Sequence, residues 1–355
     1  MSASSVKTAP ASTRPPRRLF IVAALASVVG LLLTLSFGYA DHSPRPHDVR
    51  LAVAAPKAVV RDLSAGLDRV EPGGFDAITV RSASAAMNAV RSESTAGAFV
   101  VPPAGPATIV TAAAAGLNQQ QAITAALTGA ASVLHRPTRA VDVVPLPAGD
   151  SAGLASFVLE LGLLIPSIMG SIAIFLLGRR HRVWWRVAAA GLFAVLAGCM
   201  SVLALGPILG ALTGHSVALI GVAVFGALSF VLTVSALQAV FGLPGTGLGA
   251  LLIVFFGNAV SGGTVPLAFL PGGFRQLSQW LPNAAIVHAV RSLVYFSGHS
   301  LGHSMLVLGL WVGVAVMVLA GVDLLHWRER RRTPERAPQI QATSGLALLR
   351  RPRPT

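Results

Sequence analysis

A chain of 355 residues that is 54% hydrophobic and only 11% charged has too few polar groups to cover a water-soluble fold of its size, and its mean hydropathy is +0.70. A net charge of +14 and an isoelectric point near 11.7 would suit nucleic-acid binding if the bases were spread over a folded surface. Instead, sixteen bases crowd into 1–18, 179–186 and 326–355, facing only Glu329 and Glu335, whereas 41–152 balances nine bases with nine acids. Basic segments beside apolar runs follow the positive-inside rule, so the charge sets topology and attracts anionic lipid, and nucleic acid is excluded as a partner.

In chain order, 1–18 is rich in Ser, Thr, Pro and Arg and is expected to be a disordered cytoplasmic segment. The first apolar run, 19–40, is long enough to span a bilayer, which takes roughly 20 residues at helical rise. Arg17-Arg18 and Gly38-Tyr39-Ala40 give it some signal-peptide character, but its length favours a retained anchor. From 41 to 152 short β-like runs alternate with helical ones. Strands are expected at Val49–Ala55, Ala77–Val80, Ala98–Val101, Ala107–Thr111 and Val141–Val144. Helices are expected at Lys57–Val70, Ser84–Ser92 and Gln119–Ala131, with a break at Pro72-Gly73-Gly74. This pattern predicts a small α/β domain with a partly parallel sheet, balanced in charge and able to fold without the helices.

Five further spans are expected in 153–325, at 153–178, 187–211, 216–240, 248–270 and 303–325. The loop Arg179–Arg186 carries Trp184 and Trp185 and suits a cytoplasmic interface; the 241–247 turn must share that side, though it is uncharged. Segment 271–302, cut by Pro271-Gly272-Gly273, Trp280 and Pro282, reads as an external re-entrant or interfacial hairpin. The basic stretch 326–355 is a cytoplasmic tail. The expected fold is thus a polytopic α-helical membrane protein with six transmembrane helices and an α/β extracytoplasmic domain between helices 1 and 2. It would lie in the bacterial inner membrane with both termini cytoplasmic.

The run Gly257-Asn258-Ala259-Val260-Ser261-Gly262-Gly263-Thr264-Val265-Pro266, followed by Leu270-Pro271, Trp280-Leu281-Pro282 and Ala289-Val290-Arg291, resembles the fifth-helix and external-hairpin signature of ABC-2-type permeases. The phage-infection-protein-like branch of that family is the most similar in layout, with one helix, a large external domain and then five helices. The resemblance implies an exporter permease working as a homodimer, or a heterodimer with another permease, and energised by a separate ATP-binding subunit. The chain departs from the family between helices two and three, where an eight-residue segment without acids stands in place of a longer coupling segment.

Glu160 lies in the second span, where an ionisable group is costly and usually faces a partner or a cavity. Arg291, on the same side, is its expected partner, as a structural ion pair or as part of a substrate or proton path. Asn258, Ser261, Gly262 and Gly263 interrupt the fifth helix, either for close packing or as a gating kink. Gly309 and Gly313 form a packing G-x-x-x-G, Asp323 snorkels beside Arg328, Gln238 carries no assigned role, and Cys199 reads as a small core residue. His299 and His303 are spaced for a metal but lack a third ligand, so no metal or cofactor is expected. The chain has no P-loop, catalytic triad or H-E-x-x-H, so it is not expected to be an enzyme. Two functions follow: an exporter permease for a hydrophobic or amphipathic molecule, or a membrane scaffold or surface receptor whose external domain binds a partner.

Overall fold

The computed structural model describes residues 45–132, 135–270 and 272–332, with scattered positions of 20–38. Those scattered positions are helical, but most of the expected first span lies outside the described residues, as do the expected disordered segment 1–18 and most of the tail.

The amino-terminal layer is a five-stranded mixed sheet, β1 Val49–Ala54, β2 Phe75–Thr79, β3 Gly97–Val100, β4 Ala107–Thr111 and β5 Thr138–Asp142, in the order β2-β1-β3-β4-β5. Three crossover helices, α1 (Lys57–Val70), α2 (Ala83–Arg91) and α3 (Leu117–Ser132), make β1 parallel to β2 and β3, and β4 parallel to β5. The short Pro-rich link between β3 and β4 leaves room only for an antiparallel pair. Alternation along β1 sends Leu51 and Val53 to the face covered by α1 and α3, and Ala52 to the face covered by α2. Gly66 sits against Ala130, which lets α1 and α3 approach closely.

Among the described residues, four long apolar helices form the second layer: α4 (Ala155–Gly178), α5 (Val183–Leu203, prolonged by a π-helical turn to Ile208), α6 (Ser216–Phe241) and α10 (Leu301–Arg332). Each is long and apolar enough to cross a membrane, and α6 is the central one, buried over most of its length against α4, α5 and α10. Large apolar side chains point outward from the others, among them Leu177 at 81% and Met200 at 66% exposure, as expected of a surface solvated by lipid.

Several expectations require correction. The expected span 248–270 is not one helix. It begins as α7 (Pro244–Ala250), widens to a π-helix over Leu251–Asn258, and then breaks into irregular backbone. Gly262 sits in the left-handed region at φ +78°, and Pro266 cannot donate a helical hydrogen bond, so apolarity alone overstated this segment. The basic loop is shorter than expected, because α5 starts at Val183 and takes in Trp184, Trp185 and Arg186. Cys199 is half-buried rather than in the core. Segment 271–302 does fold as a helical hairpin, α8 (Gly272–Ser278) and α9 (Pro282–Tyr295). However, α9 is buried between α4, α6 and α10, and Ile286 packs on Gly226, where a methyl would collide with it.

The two layers are continuous. Val260, Val265, Phe269, Leu270 and Leu281 belong to the same apolar cluster as the α1–α3 face of the sheet, and Phe296 completes the α2 face. Polar contacts reinforce the junction: Arg275 donates to the His47 carbonyl (2.8 Å) and to Asp48 (3.3 Å). Tyr295 Oη donates to Asp150 at 2.7 Å, and the other oxygen of that carboxylate accepts from the first backbone amides of α4.

Candidate functional site at the layer junction

Two polar features meet where the sheet rests on the bundle. The first is a cavity of about 550 Å³ walled by Glu93 and Thr95 from the sheet layer, Gly262 from the broken segment, and Arg275, His288 and Arg291 from the hairpin. The second lies in the bundle, where Glu160 of α4 meets Asn283 of α9, whose amide lies against Gly257, the neighbour of buried Asn258 in the π-helix.

Arg291 is 9% exposed, and its guanidinium is spent on backbone. One amino group donates to the Gly262 carbonyl at 2.8 Å and the other to the Gly263 carbonyl at 3.1 Å. Irregular backbone inside a protein must find partners for its carbonyls, and a planar two-pronged donor serves two successive ones. Ser261 Oγ adds a contact by accepting from the Gly263 amide (3.2 Å). Gly263 itself lies against Phe157, with no room for a Cβ. Thus Arg291, Ser261, Gly262 and Gly263, singled out from sequence, form one unit: a clamp that holds the break in the helix.

The expected Glu160–Arg291 ion pair is absent. Glu160 Oε1 instead accepts from Asn283 Nδ2 at 2.5 Å. Asn283 and Arg291 are eight residues apart on α9, about 12 Å along the axis, so a carboxylate level with one cannot reach the other. Among the described residues no carboxylate lies within ion-pair distance of Arg291; Asp150 and Glu93 act on it from farther away.

Beyond the Asn283 bond, the acceptors around Glu160 outnumber their donors. Glu160 Oε2, Asn283 Oδ1 and Asn258 Oδ1 are all buried acceptors with no partner. Buried polar atoms are normally bonded, so an unpaired set of acceptors is matched by a proton or by the hydroxyl or amine of a guest. Gly257 makes the arrangement possible, since a side chain there would overlap the Asn283 amide.

Sequence reasoning missed Asn283, which directly follows Pro282 and reads as a turn residue. It also missed the role of Gln238, whose Nε2 donates to Thr246 Oγ1 (2.9 Å) and Ser171 Oγ (3.4 Å), tying α6 to α4 and α7. Of the G-x-x-x-G pair, Gly309 faces Phe225 of α6 and Gly313 faces open space. His299 and His303 do not converge, as each contacts a different carbonyl, of Phe296 and of Gln279. Among the described residues no three metal-ligating side chains cluster.

Glu93 makes the junction sensitive to pH. Its carboxylate accepts from Ser300 Oγ at 2.7 Å. Burial pushes its pKa above the ordinary 4.5, partly offset by the Ser300 bond and by the charges of Arg291 and His299. The folded protein therefore holds this proton more tightly than the unfolded chain does. That contribution is complete below pH 4.5 and is lost as pH rises through the folded value. Glu93→Gln is expected to flatten this slope in thermal unfolding measured against pH; an unchanged slope would show that Glu93 is not its source.

Comparison with protein-family models gives no match to this chain, and comparison with curated proteins gives none either.

Proposed function

We propose that the chain is the permease subunit of an ABC-2-type exporter, carrying a hydrophobic or amphipathic molecule across the bacterial inner membrane with its termini in the cytoplasm. ATP hydrolysis comes from a separate subunit, and two permease chains, identical or paired with another permease, make the working unit. The observation that carries this reading is the half-length helix ending at Asn258, beside a buried set of unpartnered acceptors on Glu160, Asn283 and Asn258. A broken helix at membrane depth is the usual place for a guest-binding site in transporters. The apolar part of a guest is solvated by the bundle, its donor group meets the Glu160 cluster, and the Arg291 clamp on Gly262 and Gly263 sets the shape of the break. Movement of the break opens the path toward the cavity under the sheet.

The second reading, a scaffold or receptor, is favoured by a different observation. Only four residues separate α4 from α5, which leaves no coupling helix on which an ATPase could act. Purification in mild detergent from native membranes separates the two. The exporter reading expects a nucleotide-binding protein in stoichiometric amount, with ATP hydrolysis altered by Glu160→Gln. A pure chain with no associated hydrolysis, from membranes in which it is fully assembled, would favour the scaffold.

A further inference from the structure

At the end of the bundle away from the sheet, α4, α5 and α10 border a half-open cavity of about 1080 Å³. Its walls carry Arg179, Arg180, Arg182 and Arg186, and the carboxylates in its lining are Asp323 and Glu329. Two of the guanidiniums are held in place: Arg179 and Arg186 lie over the Phe175 ring, 5.4 and 5.8 Å from its centroid. The decisive detail is at Arg186, whose Nε and one amino nitrogen are buried without a hydrogen-bond acceptor. Asp323 on the facing helix acts on Arg186 by charge but does not come within salt-bridge distance. Arg186 lines the cavity while two of its donors are shielded and unpaired, so a turn of the guanidinium toward the cavity brings them onto an oxyanion held there.

We propose that this cavity binds a phosphate group, and that its source is the headgroup of an anionic phospholipid. The surroundings select the lipid over a soluble phosphate. Leu177, Trp184 and Trp327 are exposed at the rim, 81%, 63% and 48% respectively, and give acyl chains an apolar surface directly beside the bases. Aromatic and basic side chains at the end of a spanning helix mark the depth at which headgroups lie. A phosphodiester there accepts from the Arg186 fork while its chains lie along the outer faces of α4 and α10. This inference rests on the membrane-spanning helices and is independent of whether the chain transports anything.

The full-length chain in nanodiscs of phosphatidylcholine alone, and of an equal mixture with phosphatidylglycerol, provides the test. Anionic lipid is expected to raise the thermal midpoint by about 2–5 °C. Arg179→Gln with Arg186→Gln should abolish that rise, while Arg139→Gln, on β5 of the sheet layer, should keep it. Asp323→Asn is the complementary variant: it removes an opposing carboxylate and should enlarge the rise, which keeps the test open if the arginine variants fail to fold. Inorganic phosphate added to the phosphatidylcholine discs should leave the midpoint unchanged. An equal rise with inorganic phosphate would assign the cavity to a soluble anion and overturn the lipid source. A rise that persists in the double arginine variant, no rise in the native chain, or a smaller rise in Asp323→Asn would overturn the site itself.

Discussion

Arg291→Met is expected to destabilise the protein by about 2–4 kcal/mol, read as a lower unfolding midpoint in detergent. The loss arises because the Gly262 and Gly263 carbonyls stay buried after their donors are removed. Lysine should rescue little, since one ammonium cannot reproduce a two-pronged donor to successive carbonyls. Glu160→Gln acts elsewhere, on a carboxylate bonded to Asn283, so the double variant should show the sum of the two single effects to within about 0.5 kcal/mol. Mutual rescue would mean that the two side chains meet, contrary to the hydrogen bonds observed. Loss of stability on Arg291→Lys as large as on Arg291→Met would identify the fork, rather than the charge, as what holds the break.

A fragment spanning 45–152 is expected to lack a cooperative unfolding transition when made without the helices. Its charge is within one of balance and its sheet is complete, and by sequence it reads as self-sufficient. Yet one face of its core is finished by Phe269, Leu270 and Leu281 and the other by Phe296, so cutting at residue 152 exposes both. Within the full chain, Leu270→Ala should cost about 2–5 kcal/mol, since Leu270 is fully buried in the shared cluster. Hydrogen exchange on β1 and β3 supplies the readout: faster exchange there in the Leu270 variant confirms one cooperative unit. Exchange confined to the hairpin would restore the sheet as an independent domain.

Local chemistry explains where the sequence was legible. Helix Lys57–Val70 and strand Ala107–Thr111 fold with the expected bounds, because Pro56 and Pro72-Gly73 bracket the first and Pro106 opens the second. Strand β2 starts at Phe75 rather than Ala77, since pairing with Val49 and Arg50 on β1 recruits residues whose own pattern is weak. Site residues followed the same division. Gly262, Gly263 and Ser261 stand out as unusual in an apolar run, and Arg291 as a charge in a hairpin expected to be external. Asn283 carried no local signal, because its partner Glu160 is more than a hundred residues away, and Gln238 gains its role only when the turn into α7 brings Thr246 back onto α6 and packing brings Ser171 of α4 beside it.

What the sequence by itself determined was the character of each part. Apolar runs the length of a bilayer, bases gathered at their ends and a charge-balanced stretch with strand periodicity specify membrane-length helices and a mixed sheet ahead of them. These properties are sums over neighbouring residues, so they survive without knowledge of the fold. Tertiary structure alone decided the partners: that Glu160 pairs with Asn283, that Arg291 binds backbone, and that the sheet and the hairpin share a core. Side chains reach only a few ångströms, and burial makes an unpaired polar atom costly. Which polar group satisfies which therefore depends on the packing of α9 between α4, α6 and α10, and no spacing along the chain encodes that.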